Sequence, residues 1–141
     1  MQKTGIITDT NSGMSQAEAR ECGVILMPMP FTVNGKNYDE NVNMTYMEFF
    51  EHLAGGAQVA TSQPSPEDVM ACWQKALETY DKLIYIPMSS ALSSSCQSAK
   101  LFAEDFDNRV LVADNHRISI SQKQSLYDAL HWRDMSLSAE E

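Results

Sequence analysis

Short apolar runs of β-forming residues recur along this chain, and each empties into a polar, hydroxyl-rich turn from which a helical pattern starts. Gly-Ile-Ile-Thr-Asp at 5–9, Leu-Ile-Tyr-Ile at 83–86 and Arg-Val-Leu-Val-Ala-Asp at 109–114 are three such runs, each with the continuous apolar character of a buried strand. Strands separated by helices restrict the answer: the sheet is parallel or mixed, with helices packed over both faces. The expected fold class is α/β, a three-layer α/β/α sandwich with a mostly parallel sheet. In such sheets ligands bind beyond the carboxyl ends of the strands, so the turns that follow the runs are where function is sought.

The helix signals agree. Ser15 with Glu18, and Thr45 with Glu48, have the spacing of capping boxes. The first helix stops at Gly23, where glycine supplies a left-handed cap, and the second runs through Phe49, Phe50 and Leu53 to Gly55-Gly56. Ser65 caps a third helix with Pro66 at its first position and Glu67 and Asp68 in its first turn. Val69, Cys72, Trp73, Ala76, Leu77 and Tyr80 then fall on one face at helical spacing. Residues 24–33 form an apolar run interrupted by Pro28 and Pro30, which reads as one strand at an edge or a bulge. Asn34-Gly35 is a hairpin signal that lets 36–38 pair back antiparallel. A last helix is expected over 121–133. Ser138 to Glu141 has the pattern of a helix start with nothing after it.

The stretch 81–99 is the most informative. Its strand runs into Ser89, Ser90, Ser93, Ser94 and Ser95 before the next helix begins. Free backbone N–H groups and the positive end of a helix favour an anion in such a turn, and serine hydroxyls add hydrogen bonds. The blander reading is helix capping and small-residue packing. Topology argues for more than that, since four hydroxyl-rich turns, 10–12, 60–65, 89–95 and 115–121, are expected at one edge of the sheet.

Several chemistries are excluded or weakened. A formal net charge of −9, with ten Lys and Arg and no run of them, leaves no basic patch for nucleic acid or an anionic membrane. Cys22, Cys72 and Cys96 are too few and too widely spaced for a disulfide framework or a zinc knuckle. No stretch reaches the roughly 18 apolar residues of a membrane span and the N-terminus has no signal-peptide pattern, so a cytoplasmic location without stable membrane insertion is expected. There is no G-x-S-x-G elbow, and none of His52, His116 and His131 has a distinctive setting, although His116 follows Asp114 beside the expected site. Neither a dinucleotide fingerprint nor a P-loop is present. An enzyme or binding protein acting on a small anionic or phosphorylated substrate through the serine turn stays open, as does a module that binds only with a partner chain.

Five segments together resemble the DegV family: Ile-Thr-Asp-Thr-Asn at 7–11, Phe-Thr-Val-Asn-Gly-Lys-Asn-Tyr at 31–38, Ala-Thr-Ser-Gln-Pro-Ser at 60–65, the serine-rich stretch 89–99, and Val-Ala-Asp at 112–114 followed by Ser119. Thr-Ser-Gln-Pro-Ser is the most specific of them. The resemblance implies a non-catalytic carrier that binds one long-chain fatty acid through its carboxylate and presents it to a fatty acid kinase. It places the carboxylate-binding hydroxyls on Thr61, Ser62 and Ser93 and implies no cofactor and no metal. The nine methionines suit an adaptable apolar slot. Family members commonly have glycine where this chain has Ala91 and Ser94, and around Ile120 and Gln122. They are also about twice as long, so residues 1–141 are expected to be a DegV-like N-terminal lipid-binding domain that stops before the second domain. A bare apolar trough and homo-oligomerisation are the corresponding expectations.

Overall fold

The computed structural model describes residues 2–141. Its centre is a four-stranded, wholly parallel sheet. Strand β1 (Thr4–Asp9) lies between β2 (Val24–Met27) and β6 (Lys82–Ile86), and β7 (Val110–Val112) closes the far edge, in the order β2-β1-β6-β7. Successive side chains of a strand point to opposite faces, and the two faces fill differently. Ile7, Leu83 and Tyr85 pack with Val69, Trp73 and Ala76 of α3 (Pro66–Leu77) and Ala99 of α4 (Ser95–Ala103). Ile6 and Ile86 pack on the other side with Ala19 of α1 (Gln16–Cys22) and with Leu126, Ala129 and Leu130 of α5 (Ser119–Asp134). This is the expected three-layer sandwich.

The local signals act as read. Ser15 accepts from the Glu18 amide while Glu18 reaches back to Ser15, and Gly23 ends α1 at φ 69°. Ser65 accepts from the Asp68 amide with Pro66 in the first turn of α3. Trp73, fully buried, meets Tyr85 and Phe106 edge-on at centroid distances of 5.7 and 5.4 Å. Gly5 is required by close approach, because a Cβ there would come within 2.8 Å of the Tyr80 ring and 2.9 Å of Leu83.

One expectation is corrected. Residues 24–33 are two strands in two sheets, not one. Pro28 lacks an amide to continue the ladder, and the chain leaves the parallel sheet after Met27. It re-enters pairing as β3 (Pro30–Val33), the middle of a separate antiparallel sheet with β4 (Lys36–Asp39) and β5 (Val59–Thr61). Asn34 and Gly35, at φ 49° and 79°, make the tight turn between β3 and β4. Phe31, Val33 and Met44 form a small core of their own, with Phe49 of α2 (Tyr46–Ala54) packed against it. Helix α2 has a full capping box at Thr45 and Glu48 yet no buried residue. The C-terminal pattern makes its cap bonds, Ser138 to the Glu141 carboxylate, without a helix.

A candidate ligand cavity between the two sheets

A cavity of about 410 Å³ opens where the carboxyl ends of β1 and β6 face the antiparallel sheet and α2. That volume falls within the range of small-ligand sites, ~300–1,000 Å³. Its walls are of two kinds. Thr61, Ser62 and Gln63 at the end of β5, Ser93 in the serine turn, and Asn11 after β1 supply hydrogen-bonding groups. Phe31, Met44, Phe49, Phe50, Met29, Met88 and Leu92 supply apolar surface. Phe50 and Leu92 line the cavity while staying 59 % and 61 % exposed, so it opens to the surface as a trough.

Thr61 and Ser62 on one side and Ser93, far from them in sequence, are thus brought to one cavity. Three of the four expected turns contribute to it. The fourth does not line it, because Asn115 and Arg117 face a second cavity beside α5. That turn instead holds the serine turn from behind: the Arg117 carbonyl accepts from the Ser89 amide at 2.8 Å, and Asp114 accepts from the Ser90 amide at 3.3 Å. The same fact revises the picture of a turn with free amides. Asp9 accepts from the Met88 amide at 2.8 Å, Ser89 Oγ from Ala91, the Ser89 carbonyl from Leu92 and Ser93, and Ser93 Oγ from Ser95. The amides of 88–93 and of 95 are all engaged within the protein. Two of them already hold carboxylates, so the hydroxyls, rather than a ring of open amides, are what the turn offers a ligand.

Electrostatics follow from these partners. Asp9 has no exposed surface, and burial raises its carboxyl above the usual carboxylate range against the pull of its Met88, Gln122 and Asn11 donors. Asp114 is held below that range, chiefly by the Ser90 side chain, with the Ser90 and His116 amides adding to it. Gln122, also fully buried, donates to Thr8 Oγ1, Asp9 Oδ1 and the Ile86 carbonyl at 3.0–3.2 Å, tying α5 to the ends of β1 and β6. On the opposite wall Glu40 accepts from Thr10 Oγ1 and from the Tyr46 hydroxyl, and Asn41 donates to Tyr46. This chain of bonds anchors the start of α2 to the first turn. Neither Glu40 nor the α2 wall carries a sequence motif that would have drawn attention to it.

His116 lies 3.7 Å from Asp114 through Nδ1, its side chain is 71 % exposed, and it does not line the cavity. Among the described residues no group of three or more His, Cys, Asp or Glu could hold a metal ion, and no helix is long and apolar enough to cross a membrane.

Residues 3–141 match the model of the DegV family. This chain belongs to the DegV family. It is 28 % identical over 142 residues to a DegV domain-containing protein of Caldanaerobacter subterraneus, covering all of this chain and 51 % of that relative. It superimposes on the solved structure of a fatty-acid-binding DegV family protein from Thermus thermophilus with a TM-score of 0.89 and 31 % identity, covering 98 % of this chain and 50 % of that one. The DegV fatty acid binding protein of Bacillus subtilis gives a TM-score of 0.90 at 20 % identity over 99 % of this chain and 51 % of that one, which bears on the fold alone. The chain therefore spans about half the length of these DegV proteins. Of the positions where glycine was expected for the family, Ala91 and Ser94 do not need it, whereas Ser119, next to Ile120, has φ 56°. Ala91 and Ser94 lie outside the residues with positive φ, and Ser94 has φ −75° and ψ −4°.

Proposed function

We propose that this DegV domain binds the acyl chain and head group of one long-chain fatty acid in the cavity between its two sheets, without catalysing a reaction on it. The observation that carries the reading is the pairing, in one open cavity, of three hydroxyls from two separate loops with an aromatic and methionine wall. Hydroxyls both donate and accept, and apolar walls with a few convergent polar groups are what an amphiphile needs. Fatty acid binding by the Thermus DegV protein supports the same ligand class. Thr61, Ser62 and Ser93 are the head-group residues in this reading, and Phe31, Met44, Phe49 and Phe50 flank the chain.

In cells the domain presents the fatty acid carboxyl to a fatty acid kinase, from the cytoplasm, and the exposed trough rim makes it self-associate. The kinase step follows from the family resemblance and the self-association from the exposed Tyr46, Met47, Phe50 and Leu92.

The test is binding of tetradecanoic acid by equilibrium dialysis. Thr61→Ala combined with Ser93→Ala weakens binding by about 1–3 kcal/mol, the cost of leaving a buried polar head unpaired. Equal affinity in the double variant removes the head-group assignment. A wild-type protein that takes up no fatty acid removes the whole reading.

A further inference from the structure

The first polar turn, after β1, brings to the cavity one side-chain donor that the protein itself does not use. We propose that Asn11 is a fourth head-group residue, donating through Nδ2 to an oxygen of the bound acyl ligand and favouring a carboxylate over an alcohol. This rests on the acyl-binding reading above and adds a specificity-determining residue from a third loop.

Nδ2 of Asn11 is buried and has no hydrogen-bond partner among the described residues. Trp73 Nε1 and Gln122 Oε1 share that condition, but of the three residues only Asn11 lines the cavity. Buried polar groups are otherwise almost always paired, so a donor left over in a cavity wall marks a place for an acceptor from outside the chain. The rest of the turn is spoken for. The Asn11 amide donates to Asp9 Oδ1 at 3.0 Å, and the Gly13 amide closes the turn on the Thr10 carbonyl at 3.0 Å. Thr10 Oγ1 donates to Glu40 and accepts from the Met29 amide. Ser12 Oγ donates to the Asp9 carbonyl at 2.9 Å and accepts from the Met14 amide at 3.3 Å. Asp9, close enough to feel the Asn11 side chain, takes its hydrogen bonds elsewhere, from the Asn11 and Met88 amides and from Gln122. An amide nitrogen carries two hydrogens, so a pull toward Asp9 still leaves one for a ligand.

This donor differs in kind from the hydroxyls of Thr61, Ser62 and Ser93. A hydroxyl donates or accepts according to the head it meets, whereas an N–H₂ group only donates. Its bond to an ionised acceptor is charge-assisted and stronger than its bond to a neutral one. Asn11 therefore contributes more to holding a carboxylate than to holding an alcohol.

Equilibrium dialysis of the full 141-residue chain against radiolabelled tetradecanoic acid and 1-tetradecanol at pH 8 tests this. Asn11→Ala is expected to weaken the acid roughly tenfold, as loss of a bond to a charged group does, and the alcohol only about twofold. Asn11→Asp keeps the shape but presents an acceptor and a charge, so the acid is expected to lose at least about thirtyfold. The alcohol, which can donate to Asp, stays within about threefold in this variant, and its binding shows that the variant is folded. If Asn11→Asp does not fold, the acid-to-alcohol ratio in Asn11→Ala decides alone. Unchanged acid affinity in Asn11→Ala overturns the proposal and leaves the fatty acid reading standing. Equal losses for acid and alcohol in either folded variant also overturn it, since a residue that only shapes the turn would not tell the two heads apart. A wild type that takes up no acid overturns this proposal and the acyl-binding reading together.

Discussion

Asp9 is a carboxylate without access to water, and the groups it holds are mostly backbone: the Met88 amide at 2.8 Å, the Asn11 amide at 3.0 Å and, beside them, the Gln122 side chain at 3.2 Å. Met88 and Asn11 both line the cavity, so one buried side chain sets two pieces of its wall. In Asp9→Asn an N–H₂ group replaces one acceptor and faces a donor. A cost of about 1–3 kcal/mol at neutral pH is expected for the unsatisfied buried group. The pH dependence has a definite sign. Burial raises the folded-state value of Asp9, so its contribution to stability is full below the unfolded value and is lost as pH rises through the folded one. As pH falls from 7 into the acid range the wild type regains this contribution and Asp9→Asn cannot. The stability gap between them, measured by urea unfolding, therefore widens between pH 7 and pH 4.5; a gap that narrows shows that Asp9 is not the strained carboxylate described here.

At the scale of elements, what the sequence makes legible is what local chemistry decides. Ser15-Glu18, Thr45-Glu48 and Ser65-Pro66 announce their helices because a cap is a contact within four residues, and the structure makes each of them. The split at Pro28 is not legible, because an apolar run records burial and not which sheet does the burying. The site divides along the same line. The hydroxyl-rich turns 60–65 and 89–95 are legible from their pattern, and the family resemblance picks Thr61, Ser62 and Ser93 out of them. Glu40, by contrast, reaches the cavity from the end of β4, and Tyr46 and Phe49 through the way α2 lies across the small sheet. Helix α2 carries Phe49, Phe50 and Leu53 and yet buries no residue, so it leans on its cap more than α3 does. Thr45 accepts from the Glu48 amide at 3.3 Å and donates to its carboxylate at 2.8 Å. Thr45→Ala is expected to cost about 1 kcal/mol, and amide exchange over 46–54 should quicken about fivefold with the parallel sheet unaffected. A loss spread evenly over the chain contradicts a loosely held α2.

Across the whole molecule the two sheets differ in how much holds them. The parallel sheet carries a core on each face, closed by Trp73 and Tyr85 on one side and Leu126 on the other, all at most 1 % exposed. The antiparallel sheet and α2 share only Phe31, Val33 and Met44 as buried apolar residues. Their attachment to the rest runs through β2–β3 and through polar bonds such as Met29 N to Thr10 Oγ1 at 3.0 Å and Thr10 to Glu40. Units with little buried apolar area open below the global free energy, so amides of β3, β4, β5 and α2 are expected to exchange through a smaller opening than those of β1 and β6. The cavity lies on the boundary between these units, touching Asn11, Met88 and Ser93 on one side and Phe31, Phe49 and Thr61 on the other. A ligand that bridges them binds only when both are closed. At a hundredfold excess over Kd it stabilises the closed state by about 2.7 kcal/mol, or roughly a hundredfold in exchange rate. Hydrogen exchange with and without tetradecanoic acid should therefore show protection concentrated in β5 and α2. Uniform exchange of both sheets at the global rate would show that they open as one unit, and protection confined to the α5 side would place the ligand in the other cavity, beside Arg117 and Trp132.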